Sequence, residues 1–337
     1  MSRHTVFALA GVVLMIIASK VDYHKYANPV LWRMIAGFAL ILLLLVLIPG
    51  LGRKVDGARR WLFGFQPSEY AKFALIVWLS VKLTLWHEDR GRFWRGFVPP
   101  FCIGCIFAGL VVLERDLGVP VMMMAVTFLM MCVAGIRWRY LIGAIAPGVA
   151  VVAGLIIIAP HRIERIIAFI NPWAYREGSG WQLIQSLSGF AQGGVLGRGA
   201  GASEQKLGYL PAAHTDFIFA VIGEELGLIG TLAVLLLFAM FIHAAFRVVA
   251  NAPDRFGTML ATGISGMIGG QAVFVMMVTI GLLPTKGLPL PFISYGGTAL
   301  LIFLAMVGVL VNISSQSQEA PKERSLIAAP KRVASAH

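Results

Sequence analysis

The sequence predicts an all-α fold: a polytopic transmembrane helical bundle of about nine spans, with one long connector outside the membrane. Two observations carry this. Apolar runs of bilayer length recur along the whole chain, which is 58% hydrophobic and only 13% charged, with a mean hydropathy of +0.81. Short polar connectors separate the runs, and the ionisable residues collect in or beside them.

The spans fall near 5–19, 30–49, 68–85, 97–113, 117–135, 139–159, 216–248, 258–280 and 297–313. The first is short, and Ser19-Lys20-Val21-Asp22 follows it with no cleavage pattern, so it reads as a retained helix. Gln66-Pro67-Ser68-Glu69-x-x-Lys72 opens the third. Pro67 and Ser68 suit a helix start, and Glu69 and Lys72 share one face at i, i+3, where each neutralises the other. That pair reads either as structural or as part of a substrate cavity. Glu114-Arg115-Asp116 makes the turn between the fourth and fifth spans, and Cys102, Cys105 and Cys132 lie within apolar runs as packing residues. The stretch 216–248 is long enough to hold a kinked or partly re-entrant first half.

A net charge of +12 does not indicate nucleic acid, because the basic residues sit at span ends and connectors rather than on one soluble domain. Anionic lipid headgroups and a phosphorylated substrate are the better partners. The connectors carrying Arg90, Arg92 and Arg95, Arg137 and Arg139, and Arg247 and Arg255 are short and basic, as cytoplasmic loops are, and so is the tail. Residues 1–313 then form one integral-membrane domain with an extracytoplasmic loop at 160–215, and 314–337 a cytoplasmic basic tail expected to be disordered. Alternation puts 50–67, 114–116, 160–215 and 281–296 on the outer face, and every chemically loaded segment is among them.

The loop 160–215 is rich in glycine and predicts its own short helix at Trp181–Phe190. Gly197-Arg198-Gly199-Ala200-Gly201 lacks the preceding strand of a nucleotide loop and reads as a backbone hinge or as amides approaching a pyrophosphate. His214-Thr215-Asp216 stands at the membrane boundary. Asp216 either caps the following helix or acts as a general base, and Glu224 and Glu225 further along put more acid there than a cap requires. His214 would orient it, bind phosphate or simply be solvated. In the last loop, irregular backbone between Gly281 and Gly297 is tolerated at membrane depth only where it is buried in protein or lines a polar cavity, which makes Lys286 a natural phosphate partner and Ser294 a hydrogen-bond donor. Arg59 and Arg60, positive charges on the outer face, suit an anionic ligand, as do Arg162 and Arg165.

Together GARRWL at 57–62, QPSEYAK at 66–72, DLG at 116–118, INPW at 170–173, QLIQSLSGFAQGGVLGRGAG at 182–201, QKLGYLPAAHTDFIFAVIGEELGLIG at 205–230 and GLLPTKGLPLPFISYGG at 281–297 resemble the SEDS family (FtsW/RodA/SpoVE) of cell-wall polymerases. LPTKG and GEELG look closer to the FtsW cell-division branch. The resemblance implies a peptidoglycan glycosyltransferase in the cytoplasmic (inner) membrane that polymerises lipid II at its outer face, partnered by a class B penicillin-binding protein and other division or elongation proteins. It carries the catalytic carboxylate onto Asp216 and a salt-bridged pair onto Glu69 and Lys72, with Arg59, Arg60, His214, Lys286 and Ser294 as further substrate-binding candidates. No cofactor or metal site is assigned; a divalent cation at the pyrophosphate is left open. The family usually has ten spans, so the first is expected to be absent here. Arg115 stands where the family commonly has proline, Ala212-Ala213 replace an acidic residue, and Val275 and Thr279 replace asparagine. A lipid II transporter and a non-catalytic division scaffold are the rival readings.

Overall fold

The computed structural model describes residues 3–55, 58–203, 205 and 215–327, with side chains described as far as 317. Among the described residues nine helices stand where spans were expected. They are α1 (Arg3–Lys20), α2 (Pro29–Leu47), α3 (Pro67–Leu85), α4 (Val98–Leu113), α5 (Gly118–Val133), α6 (Trp138–Ile157), α9 (Ile218–Asn251), α10 (Arg255–Thr279) and α11 (Gly297–Ile327), with two further helices lying between α6 and α9. Among the described residues six helical stretches are long and apolar enough to cross a membrane, while α1 and α5 are shorter apolar helices. Helix α3 carries Glu69, Lys72 and Lys82 yet forms, with α10, the centre of the bundle, where Ala74, Leu75, Ile76, Leu260 and Ile268 are fully buried.

Local chemistry sets the starts. Asn28 caps α2 by accepting from the Val30 amide, with Pro29 at the first helical position. Asp254 caps α10 through the Gly257 amide at 2.7 Å. At that same end His24 lies between Asp22 and Asp254, at 2.8 Å from each, and Tyr23 bonds Asp254, tying together the connectors before α2 and α10.

Three features were not anticipated. The 50–67 connector contains an antiparallel hairpin, β1 (Arg53–Val55) and β2 (Ala58–Trp61), with Lys54 opposite Arg59. The long loop holds α7 (Pro160–Ile170) as well as the expected α8 (Trp181–Gly193). Helix α11 continues to Ile327, into the segment expected to be disordered, and 328–337 lie outside the described residues.

The expected kink in the seventh span is a true break. Gly227 has φ 66°, so α9 is two helical pieces end to end. Broken backbone groups need partners at such depth, and the glycine-rich segment after α8 supplies them. Arg198 and Gly199 donate to the carbonyls of Glu224 and Glu225, and the Leu228 and Ile229 amides donate to Gly194 and Val195. These two amides of the glycine run therefore brace α9.

Candidate functional site

The four segments expected on the outer face meet at one end of the bundle, opposite the Asp22–His24–Asp254 cluster. Their meeting point is Asp216, in the turn just before α9. Ser294 in the last loop donates to the carbonyl of Thr215 and accepts from the Leu290 amide at 2.7 Å. Its hydroxyl thus fixes the backbone beside Asp216. Gly287 of the same loop abuts the Asp216 carboxylate. Burial pushes the Asp216 carboxyl up to about 6. The Thr215 hydroxyl pulls it back, the Asp116 charge adds to the rise, and Arg60 and Arg165 oppose it.

Strand alternation decides which hairpin arginine joins the site. Arg60 reaches the turn between α4 and α5, donating to the Arg115 carbonyl at 2.9 Å and lying 3.6 Å from Asp116 Oδ2. Arg59, on the opposite face of the hairpin, is not brought to this cluster. Arg115 adopts φ 64°, a conformation closed to proline. Asp116 also accepts from the Gly118 amide at 2.8 Å. Glu114 is 1% exposed, and among the described residues neither of its carboxyl oxygens has a hydrogen-bond partner. Burial pushes it up to about 8, Asp116 adding to the rise and Arg60 opposing it.

Beside Asp216 lies a cleft of about 130 Å³ between α5, α6, α7, α10 and the last loop. Val121, Val152, Ile156 and Phe274 give it apolar walls, and Arg162, Arg165 and Lys286 line it too. Burial, with Arg165 next, pulls Lys286 down to about 8. The surface of the slot is almost wholly apolar, with the stems of the three cationic residues along its wall, and Arg162 donates to the Leu155 carbonyl at 2.7 Å, so the slot itself suits a lipid chain.

Glu69 and Lys72 stand apart from this surface, deep in the bundle. Lys72 Nζ is 2.7 Å from Glu69 Oε2, donates to Gln271 at 2.9 Å and lies 4.8 Å from the centre of the Phe303 ring. His214 lies outside the described residues. Gln271 and Gly287 were not singled out as site residues from the sequence, though a glutamine within an apolar span was a visible signal. Among the described residues no group of three or more His, Cys, Asp or Glu is gathered as for a metal ion.

Fold and site define a multi-pass helical membrane protein with ionisable groups converging beside an apolar cleft at one end. A family model described as cell cycle protein, FtsW/RodA/SpoVE, matches residues 1–319. The chain belongs to that family. It is 43% identical to the probable peptidoglycan glycosyltransferase FtsW of Trichlorobacter lovleyi, covering 95% of this chain and 85% of that one. It is 40% identical to stage V sporulation protein E of Bacillus subtilis, covering 94% and 86%. Among solved structures it resembles a chain described under structural coordination of polymerization and crosslinking by a peptidoglycan synthase complex, with a TM-score of 0.77, 28% identity and coverage of 94% and 89%. It also resembles the rod shape determining protein RodA of Thermus thermophilus, with a TM-score of 0.67, 26% identity and coverage of 93% and 87%.

Proposed function

We propose that this chain is a peptidoglycan glycosyltransferase that polymerises lipid II at the outer face of the cytoplasmic membrane, with Asp216 as general base. The observation that carries the reading is a buried carboxylate, raised to about 6, that abuts Gly287 next to Lys286 and feels the charges of Arg60 and Arg165, with an apolar cleft running from Lys286. Asp216 takes the proton of the acceptor sugar's 4-hydroxyl as that oxygen attacks the donor's anomeric carbon. The bond from that carbon to the pyrophosphate breaks, inverting the configuration. The polyprenyl pyrophosphate leaves with the electron pair, its charge held by Lys286, Arg162 and Arg165 while its chain occupies the apolar walls. Arg60 orders the Asp116 turn and tempers the charge around Asp216. A class B penicillin-binding protein, supplying the crosslinking activity, is the natural partner.

The test is polymerisation of purified lipid II by the purified protein with its transpeptidase partner, run in parallel with a chelator to read any divalent cation carried with the pyrophosphate. Glycan strands are expected from the wild type, and Asp216→Asn is expected to lose about 100-fold or more in rate. Wild-type polymerisation by Asp216→Asn would overturn the assignment of Asp216 as the base.

A further inference from the structure

Gln271 is a fully buried polar side chain in the middle of α10. Its amide is oriented by its neighbours. Lysine can only donate and a backbone carbonyl can only accept, so Oε1 faces Lys72 Nζ at 2.9 Å and Nε2 faces the Pro289 carbonyl at 2.8 Å. On one side the glutamine grips the Glu69–Lys72 pair, itself held in the most buried helix of the bundle. On the other it grips the last loop, and one residue further the Leu290 amide bonds Ser294, whose hydroxyl holds the Thr215 carbonyl. Two residues before Pro289, Gly287 touches the Asp216 carboxylate. The loop thus bounds Asp216 on two sides, and Gln271 is its polar tie to the rigid centre.

We propose that Gln271 is a positioning residue: it transmits the fixed position of the Glu69–Lys72 pair to the loop 286–294 and so sets where the Asp216 carboxylate stands. This rests on Asp216 being the base. Burying an ion pair with a glutamine where apolar residues would fold more cheaply is otherwise hard to account for. With the tie intact, the loop keeps Gly287 against the carboxylate. Without it, Leu288 and Leu290, both buried, still anchor the loop by packing, so the fold survives while the carboxylate loses its register.

Two variants test this in the protein reconstituted with its transpeptidase partner. Gln271→Met keeps length and burial but removes both hydrogen bonds. Gln271→Glu, when ionised, keeps the acceptor for Lys72 and removes only the donor to Pro289. In both, amide hydrogen exchange across 284–296 is expected to rise about 10-fold or more while that of α3 stays unchanged. For lipid II polymerisation, kcat is expected to fall about 10-fold or more with KM within about 3-fold, and the acidic limb of the pH–kcat profile should move. Unaltered exchange across 284–296 in a variant that folds overturns the proposal. So does raised exchange with wild-type kcat, or a lowered kcat whose acidic limb stays in place, since a merely structural role gives that result. Asp216→Asn is measured alongside. Wild-type polymerisation there, with raised loop exchange in the Gln271 variants, supports the tie and overturns the assignment of the base, so the two failures are told apart.

Discussion

The backbone of Gly287 stands so close to Asp216 that a Cβ at position 287 would come within 2.6 Å of Oδ2. Glycine is needed there for space, since Gly287 is not among the residues with positive φ. The last loop and the turn before α9 therefore form one surface, and the carboxylate has nowhere to retreat on that side.

Gly287→Ala should fold and insert normally but push the carboxylate aside, lowering polymerisation by about 10–100-fold, the usual cost of a displacement near 1 Å. Polymerisation of lipid II at the wild-type rate by this variant would show that the carboxylate position is not used.

The pH dependence follows from two opposed groups. Asp216 must be unprotonated to accept a proton, so activity rises with pH through about 6. Lys286 must be protonated to hold the leaving pyrophosphate, so activity falls as pH rises through about 8. A bell-shaped profile of kcat/KM is expected, and Lys286→Arg should remove its alkaline limb, because arginine stays charged. An alkaline limb unchanged in Lys286→Arg would assign it to another group.

Glu69→Ala or Lys72→Ala strands a charge in the bundle centre, at an expected cost of about 3–5 kcal/mol, whereas the double change strands none. Thermal unfolding of the purified variants should show each single change to be worse than the double. Additive losses would contradict the 2.7 Å pair.

Gly227→Ala meets two penalties: a left-handed backbone worth about 1–3 kcal/mol in strain, and a Cβ that would stand 2.4 Å from the Gly197 nitrogen. The folded yield should fall sharply. A normal yield and thermal midpoint would mean that the α9 break is dispensable.

Sidedness is tested with single cysteines in a background lacking Cys102, Cys105 and Cys132. At the exposed positions Glu177, between α7 and α8, and Glu88, after α3, a membrane-impermeant thiol reagent added to intact spheroplasts should label Glu177→Cys and spare Glu88→Cys. The reverse pattern would place the Asp216 site on the cytoplasmic side.

The spans were legible because a bilayer imposes a length and a polarity on each helix. The break in α9 was legible for the same reason, since Ile218–Asn251 exceeds any single crossing. Helix α7 was not, because Arg162, Glu164 and Arg165 interrupt its apolar residues and made it read as loop. Asp216, Lys286 and Ser294 stood out as polar groups at membrane boundaries. The role of Gln271 was hidden because its partner Lys72 lies 199 residues away, and Gly287 because a glycine's local pattern says nothing of what it touches. Arg59 and Arg60 were indistinguishable until the hairpin fixed their alternation.

The division of α9 at Gly227 has a mechanical consequence for an enzyme embedded in lipid. Transmembrane rods tilt to match the thickness of the bilayer around them, and a continuous 34-residue helix would carry that tilt straight to the residues at its tip. Here both pieces are hydrogen-bonded to the 194–199 segment, the outer through the carbonyls of Glu224 and Glu225 and the inner through the amides of Leu228 and Ile229, so the turn at Gly227 is braced on either side. Because the chain turns at Gly227, the axis of the inner rod does not by itself set the direction of the turn that carries Asp216.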